Sequence, residues 1–254
     1  GPGHWFYREW ICKAQARNLL HLRFFMEDNP TLSQETRQRY ERTFQGAFYR
    51  RFVLGEWTAA EGLVYDFFEE SMVRSAPAEP ADRWVISCDY GTVNPTSMGL
   101  WGKWGGVWYR VQEYYYDARA ARRQQTDQEY AQRLRELAGG REIEAVVVDP
   151  SAASFLEVLR REGWHVRKAD NEVLSGIRQT ADALKQGKIV ICPPCTDAIR
   201  EFASYCWDLS AGDRDRVRKE FDHAMDEIRY FVATVVAPEE GEDLFFAGYV
   251  ERHV

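Results

Sequence analysis

WVISCDYG, residues 84–91, is a short, mostly apolar run that ends on an acid and a glycine. That pattern predicts a buried strand carrying Asp89 at its carboxyl end. Two more strands follow, SMGLWGKW (97–104) and GVWYRVQEYYY (106–116), joined at Gly105-Gly106, a hairpin signal. EAVVVDP (144–150) is a continuous apolar strand ending at Asp149, and WHVRKA (164–169) and KIVIC (188–192) are two further strands. Helical patterns fill 124–138, 152–162, 173–187, 196–207 and 222–236. The order is β-β-β-α-β-α-β-α-β-α-α. A hairpin followed by strand–helix alternation predicts an α/β fold with a mixed sheet flanked by helices.

Ahead of this part the chain has another character. Residues 5–25 are aromatic and basic and read as helix. Asn29-Pro30 breaks it, and the cap pattern SQET from Ser33 opens a second helix over 34–46, with Tyr40 and Phe44 four apart. Residues 49–68 read as loop plus a short strand, and 71–82, with two prolines and three alanines, as a linker. The expected organisation is therefore 1–70, a linker at 71–83, an α/β domain at 84–238 and an acidic, aromatic tail at 239–254.

The 254 residues allow one or two domains. With 45% hydrophobic and 29% charged residues, disorder as the main state is excluded. No stretch approaches about 18 apolar residues, so no membrane span is expected. GPGHWFYREW (1–10) lacks the basic start and apolar run of a signal peptide. Five scattered cysteines argue against a disulfide framework and for a reducing compartment. Cys192-Pro-Pro-Cys195 has the spacing of half a zinc knuckle, but no second pair lies near it, so plain cysteines at a strand end are expected. The net charge of −7 argues against a surface that binds nucleic acid everywhere, though not against local basic patches.

Functional groups in open α/β sheets gather at the carboxyl ends of strands. Asp89 and Asp149 both stand there, and on neighbouring strands their carboxylates would share one crevice. Like charges so placed call for a cation or a shared proton, and carboxylates with open positions suit Mg²⁺ or Mn²⁺. The plainer reading is that Asp149-Pro150-Ser151 starts a turn or caps the next helix. The last helix adds Asp222, His223 and Asp226. Asp222 and Asp226 share a face, roughly opposite the apolar stripe of Ala224, Ile228, Phe231, Val232 and Val235. That face reads either as solvated, with Asp222 as the N-cap, or as a third wall of a metal pocket. Basic candidates are Arg119, Arg122 and Arg123, and the loop residues Arg214, Arg216, Arg218 and Lys219, suited to phosphate contacts. No GxxxxGK[ST], GxSxG or HExxH pattern is present.

In order, GPGHW (1–5), MEDNPTLSQE (26–35), FYRRFVLGEW (48–57), EGLVYDFF (61–68), CDYGTVNPT (88–96), VVVDPSA (146–152), GIRQTADALKQGKIVI (176–191) and DHAMDEIRY (222–230) resemble the large terminase subunit of tailed bacteriophages. The resemblance reaches to about residue 236. It implies a ribonuclease H-like fold with a five-stranded mixed sheet at 84–238, and the end of an ATPase domain at 1–70. It implies that the ATP site lies upstream, so that this chain is a piece without one. Asp89, Asp149 and Asp226 match the metal-binding acids; His223 matches a histidine found in some members, which the resemblance implies completes the metal site of Asp226 or else acts as a general base, and Asp222 stands beside them.

The implied activity is metal-dependent endonuclease cleavage of double-stranded DNA during genome packaging, with two Mg²⁺ or Mn²⁺ ions and little sequence preference. Implied partners are DNA, held by Arg214, Arg216, Arg218 and Lys219, the portal protein, the small terminase subunit and the ATPase half of the same subunit. The implied place is the host cytoplasm, transiently at the portal vertex. Three rivals stand beside this reading. One is an actin-like or sugar-kinase phosphotransferase, from the DxGT of Asp89-Tyr90-Gly91-Thr92. The others are a non-catalytic docking domain and a branched-DNA resolvase.

Overall fold

In the computed structural model, residues 6–25, 28–34, 54–55, 62–208 and 216–239 are described. Contacts divide the chain into two units, Gly1–Glu70 with Cys206–Arg218, and Ser71–Tyr205 with Lys219–Val254.

In the first unit, the helix expected over 5–25 is a short π-type turn, Tyr7–Ile11, followed by turns to residue 18. Asn18 ends these with a positive φ of 50°, and Leu19 N–H closes on Ala14 C=O at 2.8 Å. That is a left-handed helix stop, which asparagine tolerates better than most residues. The helix expected at 34–46 and the tail beyond 239 lie outside the described residues. Isolated bridges join Leu63 to Cys206 and Trp207 to Val217.

The second unit carries a six-stranded mixed sheet: β1 (Arg83–Asp89), β2 (Thr96–Trp104), β3 (Val107–Tyr116), β4 (Ala145–Val148), β5 (Val166–Lys168) and β6 (Ile189–Ile191). Their order across the sheet is β5-β4-β1-β2-β3-β6. β1, β2 and β3 pair antiparallel in sequence, and β4, β5 and β6 join parallel. The five strands implied by the resemblance are thus six, because the short β6 adds itself beside β3. The hairpin turns at Gly105 and Gly106, with φ of +54° and +87°, as a tight turn between twisted strands requires.

Among the described residues, five helices flank the sheet: α1 (Asp127–Ala138), α2 (Ala153–Arg161), α3 (Val173–Lys185), α4 (Thr196–Phe202) and α5 (His223–Phe231), which continues as a π-type segment over Val232–Val236. Thr126 and Glu129 form a capping box that starts α1, and Gly139 ends it left-handed. Strand alternation sorts β1 between two layers. Ile86 and Cys88 join the core under α1 and α2, with Leu134, Phe155 and Val148. Ser87 and Asp89 turn to the other face, where α5 lies against β1, β2, β4, α3 and α4.

Every residue of α5 from Ala224 to Phe231 is buried. The freely solvated acidic face considered for this helix therefore does not form: α3, α4 and the sheet pack around it and leave its acids little exposed. All five cysteines are free; Cys192 and Cys195 are buried after β6, and Cys195 Sγ lies 3.0 Å from Arg110 C=O. Among the described residues, no helix is long and apolar enough to cross a membrane.

Candidate metal centre

β1 and β4 are parallel neighbours with Cys88 opposite Val148, so the residues that follow, Asp89 and Asp149, leave the sheet side by side. Their side chains then diverge. Asp89 opens into a pocket of about 1100 Å³ that is also lined by Lys219, Asp222, His223 and Asp226. Asp149 is not among the lining residues. One of its oxygens takes a hydrogen bond from the Ser151 N–H at 2.6 Å and the other from the Tyr230 hydroxyl at 2.8 Å. The turn reading of Asp149 describes its first bond; the second ties it to α5. Those hydrogen bonds outweigh the effect of burial and hold its carboxyl below the usual value.

The wall opposite Asp89 is the first turn of α5. His223 Nδ1 lies 2.9 Å from Asp89 Oδ2, and Nε2 lies 3.9 Å from Asp222 Oδ1. Asp222 holds the N-cap position but makes no side-chain cap bond. Glu201 of α4 does that work instead. It is fully buried, accepts the Ala224 N–H at 2.7 Å on one oxygen and the Tyr115 hydroxyl at 2.7 Å on the other. An external cap satisfies a free N–H of the helix start and leaves the Asp222 carboxylate to the pocket. Sequence reading missed Glu201; an acid near the end of a short helix carries no local mark.

Asp226 is gripped on both oxygens. Arg229 Nη2 and Nε lie 3.0 and 3.3 Å from Oδ1, and Lys219 Nζ lies 3.0 Å from Oδ2. Lys219 also reaches Asp222 Oδ2 at 3.3 Å. The pocket is short of positive charge all the same. Burial above all, reinforced by Asp226 and Asp222 and opposed by the bond from His223, pushes the Asp89 carboxyl up to about 6. Burial and the charge of Asp226 likewise raise Asp222. For His223, burial disfavours the imidazolium, but its bond to Asp89 and the nearby acids carry it above the ordinary value.

Among the described residues, no three His, Cys, Asp or Glu side chains are drawn together as a ready-made metal-binding group. Asp89, Asp222, His223 and Asp226 share the pocket, and Asp149 lies at its back on Tyr230. The donor chemistry fits a hard divalent ion: carboxylate oxygens, in excess negative charge, two of them already on an ammonium.

Of the expected basic residues, Lys219 lines the pocket. Arg216 and Arg218 belong to the other unit, and Arg214 is outside the described residues. Arg119 lines the pocket and bonds Asn94 Oδ1 at 2.9 Å. Arg200 lines the pocket too, pairs with Asp197 and lies over Tyr115; sequence reading did not single it out. The DxGT loop folds on itself: the Gly91 N–H donates to Thr96 Oγ1 at 3.0 Å, and so is not offered to a phosphate.

No family model matches the chain. A curated relative, the terminase large subunit of Escherichia phage T5, is 22% identical over 222 residues, 82% of this chain. The chain spans half the length of that relative. Among solved structures, the large terminase of a thermophilic bacteriophage in complex with ADP is 45% identical, with a TM-score of 0.67 over 93% of this chain and 60% of that one. The large terminase nuclease of another thermophilic phage, G20c, with bound magnesium is 14% identical, with a TM-score of 0.53 over 69% of this chain and 98% of that one. Its likeness is one of fold.

Proposed function

We propose that this chain, a homologue of the terminase large subunits, is an endonuclease that hydrolyses phosphodiester bonds of double-stranded DNA during viral genome packaging. The carrying observation is the meeting of Asp89 with Asp222, His223 and Asp226 around one open pocket, flanked by Arg119, Arg200 and Lys219. In this reading residues 84–238 form the nuclease domain. Residues 1–70 are the end of an ATPase domain, 71–83 a linker and 239–254 a tail.

Asp89, Asp222 and Asp226, with Asp149 and His223 beside them, would hold the divalent ions, two Mg²⁺ or Mn²⁺. The bound magnesium of the G20c nuclease supports this choice. Such ions, once bound, acidify water and offset the charge that develops on the leaving oxygen. The chain's own residues supply the rest. His223 keeps Nδ1 on Asp89, so Nε2 is the atom that accepts a proton at the open side of the pocket. Arg119, Arg200 and Lys219 take backbone phosphates, which positions the duplex and conveys little sequence preference. Glu201 and Arg229 hold the first turn of α5 and Asp226 in place. The portal protein, the small terminase subunit and the ATPase half complete the machine.

The test is cleavage of a supercoiled plasmid with Mn²⁺ or Mg²⁺. The unaltered chain nicks and linearises it, and Asp89→Ala slows this by about a hundredfold or more. Cutting by Asp89→Ala at the unaltered rate removes the assignment.

A further inference from the structure

We infer that Lys219 is a positioning residue of this pocket: its ammonium stands in a cation position between Asp222 and Asp226, and a divalent ion displaces it on binding. This rests on the reading of the pocket as a metal centre. The two cations on Asp226 differ in kind. Arg229 is 2% exposed and fixed from several sides. It donates to Glu172 C=O at 3.0 Å as well as to Asp226. Its stem fills the space left by Gly176, where a Cβ would stand 2.5 Å from Arg229 Cγ. Arg229 is therefore built in.

Lys219 is built to leave. Its side chain is 57% exposed, on the segment just ahead of α5, and its ion pairs are the two carboxylates at 3.0 and 3.3 Å. A single positive charge on a flexible stem is a weak match for carboxylates that a doubly charged ion can bind. Without any cation, Asp222 and Asp226 would face Asp89 with like charges and be driven apart. The lysine keeps both acids aimed into the pocket until the ion arrives. Once displaced, it remains at the pocket wall, where a backbone phosphate of the substrate offers it a new partner.

The experiment is calorimetric titration of the whole chain with Mn²⁺, without DNA, for the unaltered protein and for Lys219→Met, Lys219→Arg and Arg119→Gln. Lys219→Met removes the competing charge and should bind Mn²⁺ about five- to tenfold more tightly, since the affinity no longer carries the cost of displacement. Lys219→Arg keeps the competitor and stays within about twofold. Arg119→Gln removes one charge from the same pocket without freeing a carboxylate, and so measures the general field; its gain should be clearly smaller. In parallel, Mn²⁺ should speed acylation of Lys219, followed by mass spectrometry.

Equal Mn²⁺ affinity in Lys219→Met and the unaltered chain overturns the inference, as does slower acylation with metal. If the unaltered chain binds Mn²⁺, loses it in Asp89→Asn, and gains nothing in Lys219→Met, only the role of Lys219 falls. If neither protein binds Mn²⁺, the metal centre falls with it.

Discussion

Asp226 and Glu227 are consecutive on α5, and the helix turns them to opposite fates. Glu227 faces the sheet, fully buried. Its Oε2 accepts from Arg110 Nε and Nη2 at 3.0 and 2.6 Å, and its Oε1 from the Ser87 hydroxyl and from Trp101 Nε1 at 3.2 Å. Arg110 in turn reaches Glu113, which accepts the backbone N–H groups of Asp197 and Ala198 at the start of α4. Gly99 leaves room for the pair: a Cβ there would stand 2.5 Å from Glu227 Oε1. Asp226 faces the pocket, with one buried partner, one exposed partner and two other acids close by. Buried charge that is fully matched holds the molecule together. Buried charge that is left over marks where something else must bind.

The largest effect expected from this contrast is on the matched side. Glu227→Ala strips the buried Arg110 of the partner on its Nε and Nη2 and leaves it only Glu113, and should lower unfolding free energy by about 2–4 kcal/mol in urea titrations. Replacing both partners, Arg110→Met with Glu227→Leu, should recover part of that loss, because the buried guanidinium goes with its partner while Glu113 keeps the N–H groups of Asp197 and Ala198. A loss below about 1 kcal/mol for Glu227→Ala would place Glu227 in the same class as Asp226 and break the comparison.

Next comes the leftover side. Asp89 is raised from its ordinary value to about 6, so the folded protein binds this proton more tightly than the unfolded chain. The penalty for ionising it is absent near pH 3, grows between about pH 4 and 6, and is complete above that. Asp89→Asn escapes the penalty. In chelator it should match the unaltered chain near pH 3 and exceed it at pH 7 by about 1–3 kcal/mol, read from denaturation midpoints. A difference that does not change with pH would mean that the charge of Asp89 is compensated by its partners.

The smallest effect separates two residues at helix starts. Thr126 caps α1 through its side chain, and Thr126→Ala should cost about 1 kcal/mol. Asp222 stands at the same position on α5 but caps nothing, because Glu201 does so. Asp222→Ala should stay within about 0.5 kcal/mol of the unaltered stability. A cost like that of Thr126→Ala would return Asp222 to the role of an ordinary cap.

Most of the sheet was legible because its signals are local. Runs such as AVVV at 145–148 and the Gly105-Gly106 turn depend on neighbours in sequence, and each appears in the structure within a few residues of its expected bounds. The site was legible only in part. Asp89, His223, Asp222 and Asp226 could be named from strand ends and helix spacing. Arg200, Glu201 and Arg229 could not: Glu201 acts on a helix start far along the chain, and the i,i+3 pairs Asp197–Arg200 and Asp226–Arg229 look like any ordinary charged pair of a helix.

From its own pattern the chain determined the alternation of β1, and with it which side Ser87 and Asp89 face, since a strand's period of two is set by backbone geometry alone. Tertiary structure decided what waits on that side. Only packing could bury α5 all round, bring Glu201 to its N-terminus, turn Asp149 to Tyr230 and lay Lys219 across two acids. The reason is that electrostatic energy depends on distance in space and on exclusion of water, and neither is written in the spacing of residues along the chain.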